Sequence, residues 1–120
     1  MVEVTRQAEY ERLNGKYIRE AERLLAKKDY AQASERMWGA AAEIVKAVAT
    51  KRGVELGAHA SLWSFVERLH KENPDLNLMH EFSYAGNLHT NFYENWLSPG
   101  YVNEGLAVVK GFIIKLKKML

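Results

Sequence analysis

The chain has 120 residues, 48% of them hydrophobic and 27% charged, with a net charge of +2. That length fits one domain spanning residues 1–120, and the balance excludes a disordered tail. Cysteine is absent, which excludes disulfides, thiolate metal sites and cysteine nucleophiles.

A charge this small does not by itself argue for nucleic acid. The longest apolar runs are three or four residues, AAA and GFII, far short of a membrane span. The opening "MVEVTRQAEYER" lacks the pattern of a signal peptide, so a cytoplasmic protein is the expectation.

Four breaks divide the chain: "KKDY" at 27–30, "KRGVELG" at 51–57, "KENPD" around Pro74 and "LSPG" around Pro99. Between them the spacing predicts five helices, roughly 4–27, 30–51, 58–72, 76–96 and 100–119. No segment alternates with period two, so no sheet is expected. Short connections between helices favour an all-α, antiparallel up-down bundle of four to five helices.

Helix 1 offers Tyr10, Leu13, Tyr17, Ala21 and Leu24 as its apolar stripe. Asp29 is placed to cap helix 2, whose stripe is Ala33, Met37, Ala40, Ala41, Ile44 and Val48. Around Gly39, "WGAAAE" gives that helix a strip of small residues where another backbone can come near. Helix 3 offers Leu62, Phe65, Val66 and Leu69. Helix 5 carries Val102, Leu106, Val109, Ile113, Leu116 and Leu120, a seam with alternating steps of four and three.

Helix 4 raises the chemical question. Leu78, Phe82, Ala85, His89, Phe92 and Trp96 fall on one face at about 100° per residue. His89 therefore occupies a seam position among aromatics, while Asn87, Asn91 and Glu94 are expected to point away. A buried imidazole needs a hydrogen-bond partner, and Glu35, Ser34, Tyr17 or a main-chain carbonyl are the candidates. A structural histidine is the plain reading. Tyr84 and Leu88 form a second stripe, which predicts that helix 4 meets a second subunit as well as its own bundle.

Metal and cofactor motifs are missing. His80 and His89 are about 180° apart on one helix, and His59 and His70 about 16 Å apart along another. No H-E-x-x-H, glycine-rich phosphate loop or nucleophile elbow occurs, so neither a metal nor a cofactor is expected. Lys110, Lys115, Lys117 and Lys118 near the end of helix 5 complement its dipole. They are also the candidate basic patch for phosphates, joined by Arg19, Arg23, Lys27 and Lys28.

Two blocks, "AERLLAKKDYAQASERMWGAAAEIVKAVATKRG" and "LHTNFYENWLSPGYVNEGLAVVKGFIIKL", resemble the archaeal PaREP-type paralogue family, within the wider HEPN superfamily of helical bundles. The resemblance runs from about residue 10 to 120. It implies an antiparallel bundle that dimerises. Some members of the superfamily bind nucleotides or RNA, or pair with a nucleotidyltransferase. Others are metal-independent ribonucleases that use an arginine followed, after four to six residues, by a histidine. The matching histidine is His89, but the arginine positions hold Phe82, Ser83 and Tyr84. Phosphoryl transfer needs a cation against its developing charge, and this motif supplies none.

The resemblance and the residues together predict a non-catalytic, homodimeric binding or accessory protein for a nucleotide, RNA or a partner nucleotidyltransferase. Glu35, Trp38, His89, Asn91 and Tyr93 are expected to line the site, with Trp38 stacking. The alternatives are a ribonuclease with His89 as general acid or base, helped by Arg36 or Lys46, and a helical scaffold without a ligand.

Overall fold

A computed structural model describes residues 2–120, with side chains from residue 5 onward. It contains α1 (Val2–Ala26), α2 (Tyr30–Lys51), α3 (His59–Glu72), α4 (Leu78–Glu94) and α5 (Pro99–Lys117), plus a short 3₁₀ turn, Pro74–Leu76. No strand occurs among the described residues, so the all-α bundle stands. Asp29 caps α2, its side chain accepting from Gln32 N at 3.3 Å. Ser98 caps α5 by accepting from Tyr101 N at 3.2 Å, with Pro99 in the first turn, where a missing N–H is harmless.

The core is built around α2. Alanines and one glycine let its neighbours approach closely, and 13 of its 22 residues are buried. α1, α3, α4 and α5 all pack against it. On the α1 side the pairs run Glu20–Arg36, Tyr17–Gly39, Asn14–Ala40 and Tyr10–Lys46. One number falls as the other rises, so the two helices are antiparallel. Tyr17 lies on Gly39, where a Cβ would come within 3.1 Å of its ring. Asn14, buried where Leu13 was expected to face the core, donates to Ala40 O at 2.7 Å.

The connection from α2 to α3 differs from a simple turn. Residues 54–57 belong to no helix and run back beside α2. Glu55 meets Arg6, while Leu56 and Gly57 share a cavity wall with Gly39 and Lys46. The six residue steps from Gly53 to His59, if extended, cover about 20 Å, the same distance as about thirteen residues of helix. That returns His59 to the level of Trp38, with ring centroids 5.5 Å apart. Arg52, just past α2, meets Glu72 at the far end of α3. α3 therefore runs in the direction of α2, a departure from the up-down order made possible by the extended return.

α4 is antiparallel to α2 and to α5. Phe82 packs on Phe112, Tyr84 stacks on Tyr101 with centroids 4.2 Å apart, and Lys115 pairs with Glu81 at 3.1 Å. Leu88 is fully buried against Gly105. The stripe of Tyr84 and Leu88 is therefore covered by α5 of the same chain, not reserved for a second subunit.

The end of α4 also departs from expectation. Its buried residues are Leu78, Phe82, Ala85, Leu88 and Asn91. Three successive steps of three turn the buried stripe by about 60° each. The stripe thus drifts away from Phe92 and toward Asn91. Asn91 is fully buried: Nδ2 donates to Ser34 Oγ at 3.0 Å, and Oδ1 accepts from Trp96 N and Leu97 N, both at 2.8 Å. With Asn95 in the left-handed region (φ 48°), these bonds end the helix at Glu94. Trp96 leaves the seam and is 60% exposed.

The expected basic patch is partly consumed in packing. Lys110 pairs with Glu22 at 3.1 Å, and Lys115 donates to Leu76 O as well as to Glu81. Lys117 and Lys118 are exposed.

Two measurements follow from these contacts. Asn91→Leu leaves the main-chain N–H groups of Trp96 and Leu97 without their acceptor, at about 1–3 kcal/mol for each buried group left unsatisfied, while Ser34 Oγ keeps its bond to Tyr30 O. Urea unfolding is expected to show a loss of about 2–4 kcal/mol, against less than about 0.5 for exposed Asn87→Leu. Burial, then the neighbouring Tyr101 and Glu104, push the Tyr84 hydroxyl up to about 12 from 10.0. The folded state holds that proton longer than the unfolded chain does. This contribution to stability is therefore complete below pH 10 and is lost as pH rises toward 12. Ultraviolet titration should show one tyrosine ionising last, and Tyr84→Phe should remove that phase.

Candidate functional site

The site lies where α2, the start of α3 and the middle of α4 meet. Glu35 and Trp38 are three residues apart on α2 and so share a face. The extended return brings in His59, and the edge of the α4 stripe presents His89. Glu35 Oε1 lies 2.7 Å from His89 Nδ1, with the two side chains 21% and 25% exposed. A carboxylate on Nδ1 fixes the Nδ1–H tautomer and leaves Nε2 available. When the imidazole is protonated, the same contact becomes a charge-assisted bond.

Rings hold this pair in place. His89 stacks on Trp38, centroids 5.0 Å apart and planes 26° apart. Trp63, Phe82 and His59 pack against the same indole at 6.5, 5.3 and 5.5 Å. Trp38 is 5% exposed, so its faces are taken up within the chain and it supports the site from below. The ring of His59 is 5.1 Å from that of His89, and His59 itself is exposed. Trp63 lies over Gly86, where a Cβ would fall 2.8 Å from Cζ2. Any larger residue there would displace the indole.

Two cavities share Trp38 and His59 as a wall. The smaller, about 420 Å³, lies among Trp38, His59, Trp63 and His89, with Ser83, Asn87 and Thr90 supplying polar groups. Neither a carboxylate nor an ammonium lines it. The larger, about 590 Å³, is bounded by Tyr17, Glu35, Arg36, Glu43 and Lys46 and by residues 56–58. Its cations are already paired, Arg36 with Glu20 at 2.9 Å and Lys46 with Glu43 at 3.3 Å. Among the described residues no three acidic or histidine side chains lie close enough to share a metal ion.

Of the residues expected at the site, Glu35, Trp38 and His89 come together. Tyr93 reaches its edge, standing edge-on to His89 with centroids 5.6 Å apart while 70% exposed. Asn91 does not join them, because it is buried on the Ser34 side and holds the end of α4. Sequence reasoning missed His59 and Trp63 as site residues. Their spacing of four on one helix was the available signal, but the return that carries α3 to Trp38 leaves no periodic trace.

The family model of the Archaeal PaREP1/PaREP8 family matches residues 9–113. The chain belongs to that family. No curated protein matches it. The fold of this PaREP1/PaREP8 member is similar to a crystal structure of a protein from Sulfolobus solfataricus, with a TM-score of 0.79. The match covers 89% of this chain and 95% of the other at 22% identity, a likeness of fold alone. Among the described residues no helix is long and apolar enough to cross a membrane.

The Glu35–His89 contact can be read directly. Nitrogen NMR at neutral pH should show a proton resident on Nδ1 of His89. Glu35→Leu should shift that ring toward the Nε2–H form while leaving the distant His80 unchanged. An unaltered His89 spectrum in Glu35→Leu would contradict the assignment.

Proposed function

We propose that this PaREP1/PaREP8 chain is a non-catalytic, HEPN-like binding or accessory protein that acts as a homodimer. Its cleft between α2, α3 and α4 receives the base of a nucleotide or of an RNA strand. The observation that carries the reading is the smaller cavity: four rings, no carboxylate or ammonium, and an amide and two hydroxyls at its margin. A nucleobase has this chemistry, with a flat π-face and an edge of donors and acceptors. Trp63 and His59 supply the stacking surface. Asn87, Ser83, Thr90 and His89 Nε2 address the edge. Tyr93 and Trp96, exposed at the same end of α4, are the surface offered to a second copy. A nucleotidyltransferase is the partner class that the HEPN resemblance suggests.

A second reading rests on a specific contact. His59 beside the Glu35–His89 pair puts two imidazoles 5.1 Å apart, an arrangement suited to general acid–base cleavage of RNA. The absence of an arginine at Phe82, Ser83 or Tyr84 weighs against it.

Tryptophan fluorescence with adenosine, AMP and a short RNA in EDTA separates the two. Binding without cleavage is expected, and Trp63→Leu should weaken it by about 5- to 100-fold, the worth of one stacked base. Cleavage by the wild type that His89→Ala abolishes would establish the ribonuclease instead. No saturable binding of any of the three would overturn both readings. Sedimentation of the wild type and Trp96→Glu tests the dimer.

A further inference from the structure

The larger cavity contains a group that nothing above uses. Glu43 is 8% exposed, its Oε1 accepts from Lys46 Nζ at 3.3 Å, and its Oε2 is buried with no hydrogen-bond partner. A carboxylate oxygen accepts but never donates, so only a donor can satisfy it. Bare buried acceptors are rare in native proteins and mark an absent partner or a stored strain. Glu43 lines the cavity of about 590 Å³.

A second part of the lining has a similar character. Residues 55–57 form part of the extended return, and no main-chain hydrogen bond ties them to other described residues. Leu56 and Gly57 line the cavity, and the carbonyls of residues 55–57 accept no main-chain hydrogen bond from the described residues. Tyr17, flat against Gly39, adds an aromatic ring. Arg36 and Lys46 are each neutralised by a carboxylate, and Glu35 adds its own charge to the lining. An anion entering here would meet Glu43 Oε2, which has no donor, while Lys46 is already held by Oε1 of the same carboxylate.

We propose that this cavity binds a small organic cation, carrying a primary ammonium or guanidinium group, whose N–H groups reach Glu43 Oε2 and the peptide carbonyls of residues 55–57. A charged donor is favoured over a neutral one because the bond to a carboxylate is then charge-assisted. The Tyr17 ring favours a cation with an organic body. A bare metal ion would demand several further ligands, and among the described residues no three acidic or histidine side chains gather to supply them. This inference does not rest on the nucleobase reading.

The test is an NMR titration of the full chain with methylguanidinium and with n-butylammonium. Butyrate and inorganic phosphate serve as anions of comparable size. One saturable site is expected for a cation, with shifts centred on Glu43, Lys46 and residues 55–57, and none for the anions. Glu43→Gln keeps the volume and should weaken binding at least tenfold, while exposed Glu67→Gln should not. A Cβ at Gly57 would meet no atom within 4 Å, so a side chain there starts in open space. Gly57→Leu adds bulk to a residue of the cavity lining and should also weaken binding, which keeps the test decisive where Glu43→Gln does not fold. Non-saturating shifts scattered over surface carboxylates, equal affinity in the folded variants, or anion binding at the same residues would each overturn the proposal. Nucleobase binding reports on residues 83–90 instead, so the two readings fail separately.

Discussion

The bundle depends on one constraint: α2 is covered on nearly every side. An alanine-rich helix offers little apolar area per residue, so it becomes a core only if its neighbours come very close. Gly39 and the alanines beside it permit that approach. Burial then makes demands on every polar group of α2, since an unpaired one is costly in a low-dielectric interior. Ser34 is met by Asn91, Glu35 by His89 and Arg36 by Glu20. These consecutive residues reach two different helices, α4 and α1, and so fix the register of both. The polar pairs are thus part of how the fold is specified, and Glu43 is the place on α2 where the pairing is left incomplete.

The site is a by-product of how α4 meets that central helix. Steps of three carry the buried face around α4 until Asn91 is fully buried and His89 is left at the margin. Two polar residues two positions apart in the chain therefore take different duties. Asn91 is sealed in and ends the helix, while His89 keeps a quarter of its side chain in solvent. Trp38 supports both arrangements, because it stacks under His89 and packs against Phe82 in the core.

Much of this is readable from residue spacing. Helical periodicity locates all five helices, Asp29 is visible as a cap, and Glu35 stands among the candidate partners for His89. Asn91 escapes because a fixed 100° wheel assigns one face to a helix, whereas the buried stripe here drifts. Trp96 escapes for a linked reason. The bonds that end α4 come from a side chain five residues upstream, and no local breaker announces them. The α2–α3 connection is legible as a break through its glycines, but not as a return of about 20 Å. Without that return, neither His59 nor Trp63 has reason to be near His89.

That same return is where the site is least tied down. α3 begins without a side-chain cap at Ala58, and residues 55–57 make no main-chain hydrogen bond to the described residues. Segments with few buried contacts and solvated main-chain groups open at a lower free-energy cost than core helices. His59 sits at the end of this segment and borders both cavities. Glu35, Trp38 and His89, by contrast, are each held by a hydrogen bond or by rings on both sides. A rigid half on α2 and α4 thus faces a looser half on the return and the start of α3.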